Sequence, residues 1–371
     1  MHADASVQAD VRAEADGIAG QRVQAERFTA QLLAGEPASS PVEVAGRLLA
    51  VQGQDPRGAR LAIRARTRGL TAADVDRALT EDRTLLITWL NRGTLHLIRS
   101  EDYWWLHPLM VRPQHEATVR RLLARGGMTD ADAGRGVAVA EAALTAHGPL
   151  TRVQLRMIMA DAGLPAEASL PLLLLELASM RGIAVRGPMI DGQHAYVLVR
   201  DWLGKPPREP DPDIALAELA RRYLAGHGPA SDRDLARWAG LPVGQVRSGL
   251  TAIATELRDR HDGLAELAGA RQEDAALPAP RLLGAFDPVL LGWASREPVL
   301  GGQHGVVTVN GLFRPFALIG GHAAGIWEYA GGRVVLDRLG ELPGAVEADL
   351  AAEANDVQRF LAGGPADRTQ A

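Results

Sequence analysis

Apolar residues follow a helical period through most of this chain, and short strand-like runs interrupt it. One helix is predicted from Val42 to the break near residue 50, and a second follows the capping pattern of Thr71 and Asp74 and reaches Leu79. Two more are predicted over Val243–Asp259 and Val346–Leu361. The predicted strands are Thr84–Leu90, Gly93–Ile98, Ile183–Arg186, His194–Arg200, Gly305–Val309, Phe316–Ile319, Gly325–Tyr329 and Arg333–Leu336. This mixture predicts an α+β fold that is mainly α.

Two segments repeat one helix–turn–helix pattern. The first opens with His147–Pro149 and the second with His227–Pro229, and a hydroxyl residue follows each. Gln154 or Asp234 stands three residues after that hydroxyl, which is the spacing of a capping box at the start of a helix. Because a strand hairpin follows the third helix of the first copy, this copy is predicted to be a winged helix.

The pattern divides the chain into five predicted segments. They are a flexible N-terminal extension (1–20), three winged-helix domains (21–136, 137–205 and 206–345, the last with a β-rich tail), and a C-terminal helix and tail (346–371). The Pro- and charge-rich stretch Trp202–Asp213 is the predicted linker between the second and third domains.

Composition narrows the function classes. The chain has 371 residues, of which 47% are hydrophobic and 23% charged, as in ordinary globular proteins. It has no cysteine, which excludes a disulfide framework, a thiolate nucleophile and a Cys-ligated zinc. No apolar run approaches the roughly 18 residues of a membrane span, and the N-terminus lacks the build of a signal peptide. We therefore expect a soluble cytoplasmic protein with no membrane partner. We also expect it to be a monomer.

The charge distribution qualifies the net charge of −5, which by itself argues against a nucleic-acid partner. Lys205 is the sole lysine, and many arginines fall in two runs. These runs contain Arg57, Arg60, Arg64, Arg66 and Arg68, and Arg112, Arg120, Arg121 and Arg125. Arginine makes planar, bidentate contacts with phosphate. The runs are either a phosphate-binding surface or solvated helix faces.

The segment Val51–Arg57 reads VQGQDPR and interrupts an apolar helical run. Gly53 weakens the helix and Pro56 disfavours the helical conformation of the residue before it. In an extended backbone Gln52 and Gln54 would point the same way, so two neutral amides would lie side by side and could hold a water molecule. Two alternatives remain. The glutamines are solvated side chains without a catalytic role, or Asp55 acts as the base in their place.

Other candidates lie near the second predicted hairpin strand. Arg92 and Thr94 would either bind phosphate or close a turn, and His96 would either contact a bound partner or substrate or be a structural histidine. The chain has no histidine–carboxylate set with metal-ligand spacing, and no P-loop, dinucleotide fingerprint or nucleophile elbow. We therefore expect neither a metal nor a cofactor.

Four stretches together resemble the AlkZ/YcaQ superfamily of DNA glycosylases, and the resemblance extends over Val42–Leu361. They are Val51–Arg57, Leu61–Arg66, Trp89–Leu97 and Ala285–Pro288. The resemblance implies three tandem winged helices in a C-shaped arrangement around a basic channel. It also implies that double-stranded, damaged DNA is the partner.

The catalytic Gln-x-Gln motif of the AlkZ branch falls on Gln52 and Gln54, whereas YcaQ-like members have aspartate at the second position. The resemblance implies hydrolysis of the N-glycosidic bond of N7-alkylated purines, with unhooking of interstrand crosslinks as self-resistance to a genotoxic natural product. The expected DNA or substrate contacts are Arg57, Arg64, Arg66, Arg92, Thr94 and His96. With no lysine near the motif, we expect a monofunctional enzyme. The alternative is a non-enzymatic DNA-binding protein or transcriptional regulator, because winged helices suit either function.

Overall fold

The computed structural model describes residues 19–126, 129–164, 170–207, 211–270, 275–340 and 344–363. The extension predicted over residues 1–20 lies outside these ranges, except for its last two residues, which begin helix α1 (residues 19–30). Among the described residues, no helix has both the length and the apolar character needed to cross a membrane.

Helices make up most of the regular structure. After α1 they are α2 (Pro41–Leu48), α3 (Pro56–Arg64), α4 (Ala72–Thr80), α5 (Tyr103–Gly126), α6 (Asp130–His147), α7 (Arg152–Asp161), α8 (Leu170–Met180), α9 (Val199–Trp202), α10 (Pro212–His227), α11 (Asp232–Ala239), α12 (Val243–Ala252), α13 (Glu297–Leu300) and α14 (Gly344–Ala362).

The strands form two antiparallel sheets. They are β1 (Val51–Gln52), β2 (Leu85–Trp89), β3 (Leu95–Arg99), β4 (Leu150–Thr151), β5 (Ala184–Ile190), β6 (Gln193–Leu198), β7 (Arg281–Leu283), β8 (Phe316–Ile319), β9 (His322–Ala330) and β10 (Arg333–Arg338). The predicted α+β class is confirmed.

Both copies of the repeat begin a helix with the predicted capping box. In α7, Gln154 Oε1 accepts the backbone N–H of Thr151 at 2.8 Å. In α11, Asp234 Oδ2 accepts the backbone N–H of Ser231 at 3.0 Å. These boxes satisfy backbone donors that the first turn of a helix leaves without a partner.

The two N-terminal hairpins share one six-stranded sheet, in the order β1-β3-β2-β5-β6-β4. The hairpin of the first predicted domain joins that of the second where Ile87 of β2 pairs with Arg186 of β5. All five residues of β2 are buried, so this apolar strand would leave an exposed edge if the hairpins stood apart. The domain boundaries themselves stay predictions.

The second sheet has four strands in the order β10-β9-β8-β7, and α14 packs against it. The strand predicted over Gly305–Val309 is wrong: a short 3-10 turn spans His304–Val306, and a single bridge joins Val307 to Phe313. The helix predicted over Val243–Asp259 ends early, at Ala252. It stops there because the chain turns back for Leu257 to pair with Leu267.

Candidate active site

The glutamine turn (Gln52–Asp55) lies where β1 ends and α3 begins. Gln52 pairs with His96 of β3, and the backbone N–H of Gly53 donates to Leu95 O at 2.7 Å, which continues the ladder. Asp55 is the N-cap of α3, and its Oδ1 accepts the backbone N–H of Arg57 at 3.0 Å. The carboxylate of Asp55 therefore caps a helix, which weakens its candidacy as a base.

The side chains of Gln52 and Gln54 lie together, as predicted from their spacing. Gln52 Nε2 donates to Gln54 Oε1 at 2.6 Å. Gln52 is buried, at 6% exposure, whereas Gln54 is exposed. The pair thus connects the sheet interior to solvent, with the inner amide holding the outer one in place.

A row of polar side chains continues inward from Gln52. His96 pairs with Gln52 on one side and with Thr88 of β2 on the other, so the three side chains occupy one face of the sheet. His96 and Thr88 are buried. Within the described part of the chain, Gln52 Oε1 and Thr88 Oγ1 have no hydrogen-bond partner. Thr88 was not predicted from the sequence, since a lone threonine in an apolar strand carries no signal.

His96 is a neutral acceptor in this row. Its Nδ1 lies 3.0 Å from Thr94 O, and because a carbonyl only accepts, Nδ1 carries the proton and Nε2 keeps its lone pair. Burial, together with the charge of Arg92, lowers the pKa of His96 to about 3. The ring therefore stays uncharged beside Gln52 at neutral pH.

The turn between β2 and β3 contains two more predicted residues. Thr94 Oγ1 donates to Asn91 O at 2.9 Å, so this hydroxyl closes the turn. Arg92 has a left-handed backbone (φ 54°) and donates from Nη1 to the carbonyl oxygens of Arg237 and Trp238, at 3.0 and 2.9 Å. The Arg92 guanidinium thus lies at the C-terminal end of α11.

Arg57 lies near the C-terminal sheet, with its guanidinium 5.6 Å from the ring centroid of Tyr329. The side chains of Arg112, Arg121 and Arg125, from the second arginine run, lie outside the described residues.

The expectation that Arg64 and Arg66 contact phosphate is wrong. Arg64 pairs with Glu353 at 2.6 Å and Asp356 at 3.0 Å, and Arg66 pairs with Asp287 at 2.9 Å. The side chains of the two arginines are 2% and 0% exposed. Their guanidiniums are enclosed by protein and occupied by carboxylates, so they anchor α3 rather than face DNA.

The stretch Ala285–Pro288, far away in sequence, packs against α3 and the residues that follow it. Asp287 holds Arg66 through both carboxylate oxygens. A Cβ on Gly58, in the first turn of α3, would lie 2.3 Å from Ala285 O, so only glycine fits there. Phe286, between them, has a left-handed backbone (φ 58°), an uncommon conformation for a bulky residue that marks local strain.

A cavity of about 450 Å³ lies elsewhere, between α5 and α8, lined by Tyr103, Trp104 and His107 among others. Neither Gln52 nor Gln54 lines it. The glutamine pair instead reaches the protein surface through Gln54.

Comparisons with known proteins identify the family of the chain. A family model described as DNA glycosylase AlkZ-like matches residues 45–360. The chain is 27% identical to a protein of Streptomyces sahachiroi named interstrand DNA cross-link repair glycosylase, over 92% of this chain and 97% of that protein. The solved structure of the Streptomyces sahachiroi DNA glycosylase AlkZ matches with a TM-score of 0.72 and 26% identity, over 92% of this chain and 96% of that chain.

The family match spans most of the chain and includes the glutamine turn, the β2–β3 turn and the Ala285–Pro288 stretch. The chain therefore belongs to the AlkZ-like DNA glycosylase family, a family of enzymes that hydrolyse N-glycosyl bonds.

Proposed function

We propose that this protein is a monofunctional glycosylase for N7-alkylated purines in double-stranded DNA, including bulky adducts and interstrand crosslinks. The hydrogen-bonded pair of Gln52 and Gln54 carries this proposal, because it presents fixed neutral dipoles at an accessible surface. The Streptomyces sahachiroi relative is named an interstrand DNA cross-link repair glycosylase, and this name supports the substrate class.

The chemistry of these lesions needs little acid catalysis. Alkylation at N7 makes the purine cationic, so the base departs as a neutral molecule when it takes the electron pair of the glycosidic bond. The sugar then develops oxocarbenium character at C1′, and a water molecule must attack that carbon. What the protein must supply is therefore a positioned water and dipoles that tolerate positive charge.

The glutamine pair meets both needs. Gln54 is exposed and holds the attacking water, while its own Oε1 is fixed by Gln52 Nε2. Gln54 Oε1 accepts one hydrogen bond from Gln52, and its second lone pair is left for the water and for the positive charge that develops at C1′. Amides do this without the desolvation penalty of a buried carboxylate.

The accessible position of the pair fits a bulky or crosslinked base. Many enzymes that act on a base extrude it into an enclosed pocket, which a base tethered to the opposite strand cannot enter. An exposed Gln54 can reach C1′ while such a base stays in the duplex. Family membership sets aside the non-enzymatic alternative.

The test uses two duplexes, one with a single N7-methylguanine and one with an N7-linked interstrand crosslink. Purified protein should release free base from the first and separate the strands of the second on a denaturing gel. The product should be an intact abasic site. Release from N7-methylguanine without unhooking would restrict the proposal to monoadducts, and release from neither duplex would refute it.

A further inference from the structure

Three arginines meet where the β2–β3 turn contacts α11, without a carboxylate among them. Arg92 comes from the β2–β3 turn, Arg237 from the last turn of α11, and Arg296 from the segment just before α13. Across the described residues, none of the three forms an ion pair within 4.0 Å. By contrast, Arg60 and Arg64 of α3 each have a carboxylate partner.

Arg92 is held rigidly with part of its guanidinium free. Its Nη1 donates to the carbonyls of Arg237 and Trp238, which satisfies acceptors that a helix C-terminus leaves open. Among the residues that the structure describes, its Nε and Nη2 have no hydrogen-bond partner, and they are not among the buried unpaired atoms. These donors are preorganised and accessible.

Arg296 approaches the same helix from the other side. The backbone N–H of Ala294 donates to Asp234 Oδ1 at 2.9 Å, which fixes this segment to the first turn of α11. Arg296 Nε donates to Leu290 O at 3.0 Å, and its guanidinium lies 5.1 Å from the ring centroid of Phe313. Arg237 is exposed on α11 between the two.

The pKa values of two of these arginines respond to their neighbours. Burial, and then the charges of Arg237 and Arg296, lower the pKa of Arg92 to about 10. Burial, and then the charge of Arg237, also lower the pKa of Arg296. The positive charge of Arg237 therefore acts on both Arg92 and Arg296.

Nearby carboxylates are already engaged. Asp234 pairs with Arg27, and Asp232 pairs with Arg247. Glu297 accepts the backbone N–H of Gly302. A cluster of like charges without a counter-ion costs folding free energy, which an incoming anion would offset.

We propose that Arg92, Arg237 and Arg296 form a binding site for a backbone phosphate of the DNA strand that carries the lesion. This rests on the proposed function. A phosphodiester offers two non-bridging oxygens and one negative charge, which suit the planar forks of several guanidiniums. Because Arg92 is in the same turn as Thr94 and four residues from His96, a phosphate there sets the register of the strand relative to Gln52.

Arg237→Gln and Arg296→Gln test the site. Among the described residues, the Arg237 side chain has no hydrogen bond to backbone and that of Arg296 has one, to Leu290 O, whereas Arg92 holds the end of α11 through two carbonyls. Affinity for an undamaged duplex is measured across a salt series. Each variant should reduce the slope of log affinity against log salt by about 0.9 for one lost phosphate contact. The control is Arg135→Gln on α6, which removes the same charge from a side chain paired with Asp132 and should leave the slope unchanged.

A neutral methylphosphonate, placed at each linkage near the lesion in turn, locates the contacted phosphate. At one linkage the methylphosphonate should weaken binding by the wild-type protein. At that linkage it should have little further effect on binding by the Arg237→Gln, Arg296→Gln double variant, because the contact is already lost. The melting temperature of Arg237→Gln should not fall, because like-charge repulsion is relieved. Arg296→Gln also loses the hydrogen bond to Leu290 O, so its melting temperature should fall slightly. If Gln variants melt lower, Arg237→Lys, which keeps the charge, should retain the wild-type slope.

Unchanged slopes in both variants, or additive losses at every linkage, would overturn the phosphate site. These measurements use undamaged DNA and do not require base release. Failure of the site is thereby distinguishable from failure of the glycosylase assignment.

Discussion

The substitution Asp287→Asn should cost a large share of the protein's stability. All five N–H groups of Arg66 are paired: two with Asp287, two with Gln31 and one with Ala62 O. Both members of the ion pair have fully buried side chains. Asparagine removes the negative charge and turns an amide donor toward an Arg66 donor.

Removing one partner of such a pair costs about 3–5 kcal/mol, because the remaining charge is left buried and uncompensated. Globular proteins unfold with only about 5–15 kcal/mol, so the loss is severe. At roughly 2–4 °C for each kcal/mol in larger domains, the melting temperature should fall on the order of 10 °C.

Thermal unfolding followed by circular dichroism measures this in a double-mutant cycle of Arg66→Met, Asp287→Asn and both together. The double variant should be more stable than the sum of the single losses predicts, by about 2 kcal/mol, since neither isolated charge remains. Each single variant, at temperatures where it stays folded, should keep the wild-type salt slope for DNA binding. Additive losses, or a salt slope reduced in Arg66→Met, would refute the structural role assigned to this pair.

Three further outcomes follow from the structure. Gly58→Ala should lower the free energy of unfolding by about 1–3 kcal/mol and slow excision, because the new Cβ would lie 2.3 Å from Ala285 O. The control is Gly134→Ala on α6, where a Cβ would have no atom within 4 Å, and urea titrations should show its stability unchanged or slightly higher. Burial lowers the pKa values of His96 and His107 to about 3 and about 4. Below about pH 6.5 the unfolded state binds protons on these histidines and the folded state does not. The free energy of unfolding should therefore decrease by about 1.4 kcal/mol for each histidine with every pH unit below 6.5. An unfolding free energy that does not change between pH 7 and pH 5 would contradict this. Excision of N7-methylguanine should proceed in excess chelator and leave the strand intact, and magnesium-dependent nicking would indicate nuclease chemistry instead.

Local spacing made parts of this molecule predictable. The capping boxes at Thr151 and Ser231, and the juxtaposition of Gln52 and Gln54, depend on residues within three positions of one another. Backbone sterics and hydrogen-bond demand act over that range, so the sequence alone determines them.

The error about Arg64 and Arg66 has a different origin. Arg66 meets Asp287 across 221 positions, and Arg64 meets Asp356 across 292. From the sequence, an arginine that will be enclosed by distant carboxylates resembles one that faces solvent. The cluster of Arg92, Arg237 and Arg296 escaped prediction for the same reason, since it forms only where three distant segments meet.

Single-turnover base release by Gln52→Ala and Gln54→Ala, on a duplex with one N7-methylguanine, tests the catalytic assignment most directly. Gln358→Ala on α14, which bonds to Asn355, is the matched control. Losing a positioning dipole should reduce the rate constant by roughly 10²-fold or more, with duplex affinity and melting temperature close to wild type. Full excision by the double variant Gln52→Ala, Gln54→Ala would contradict the account.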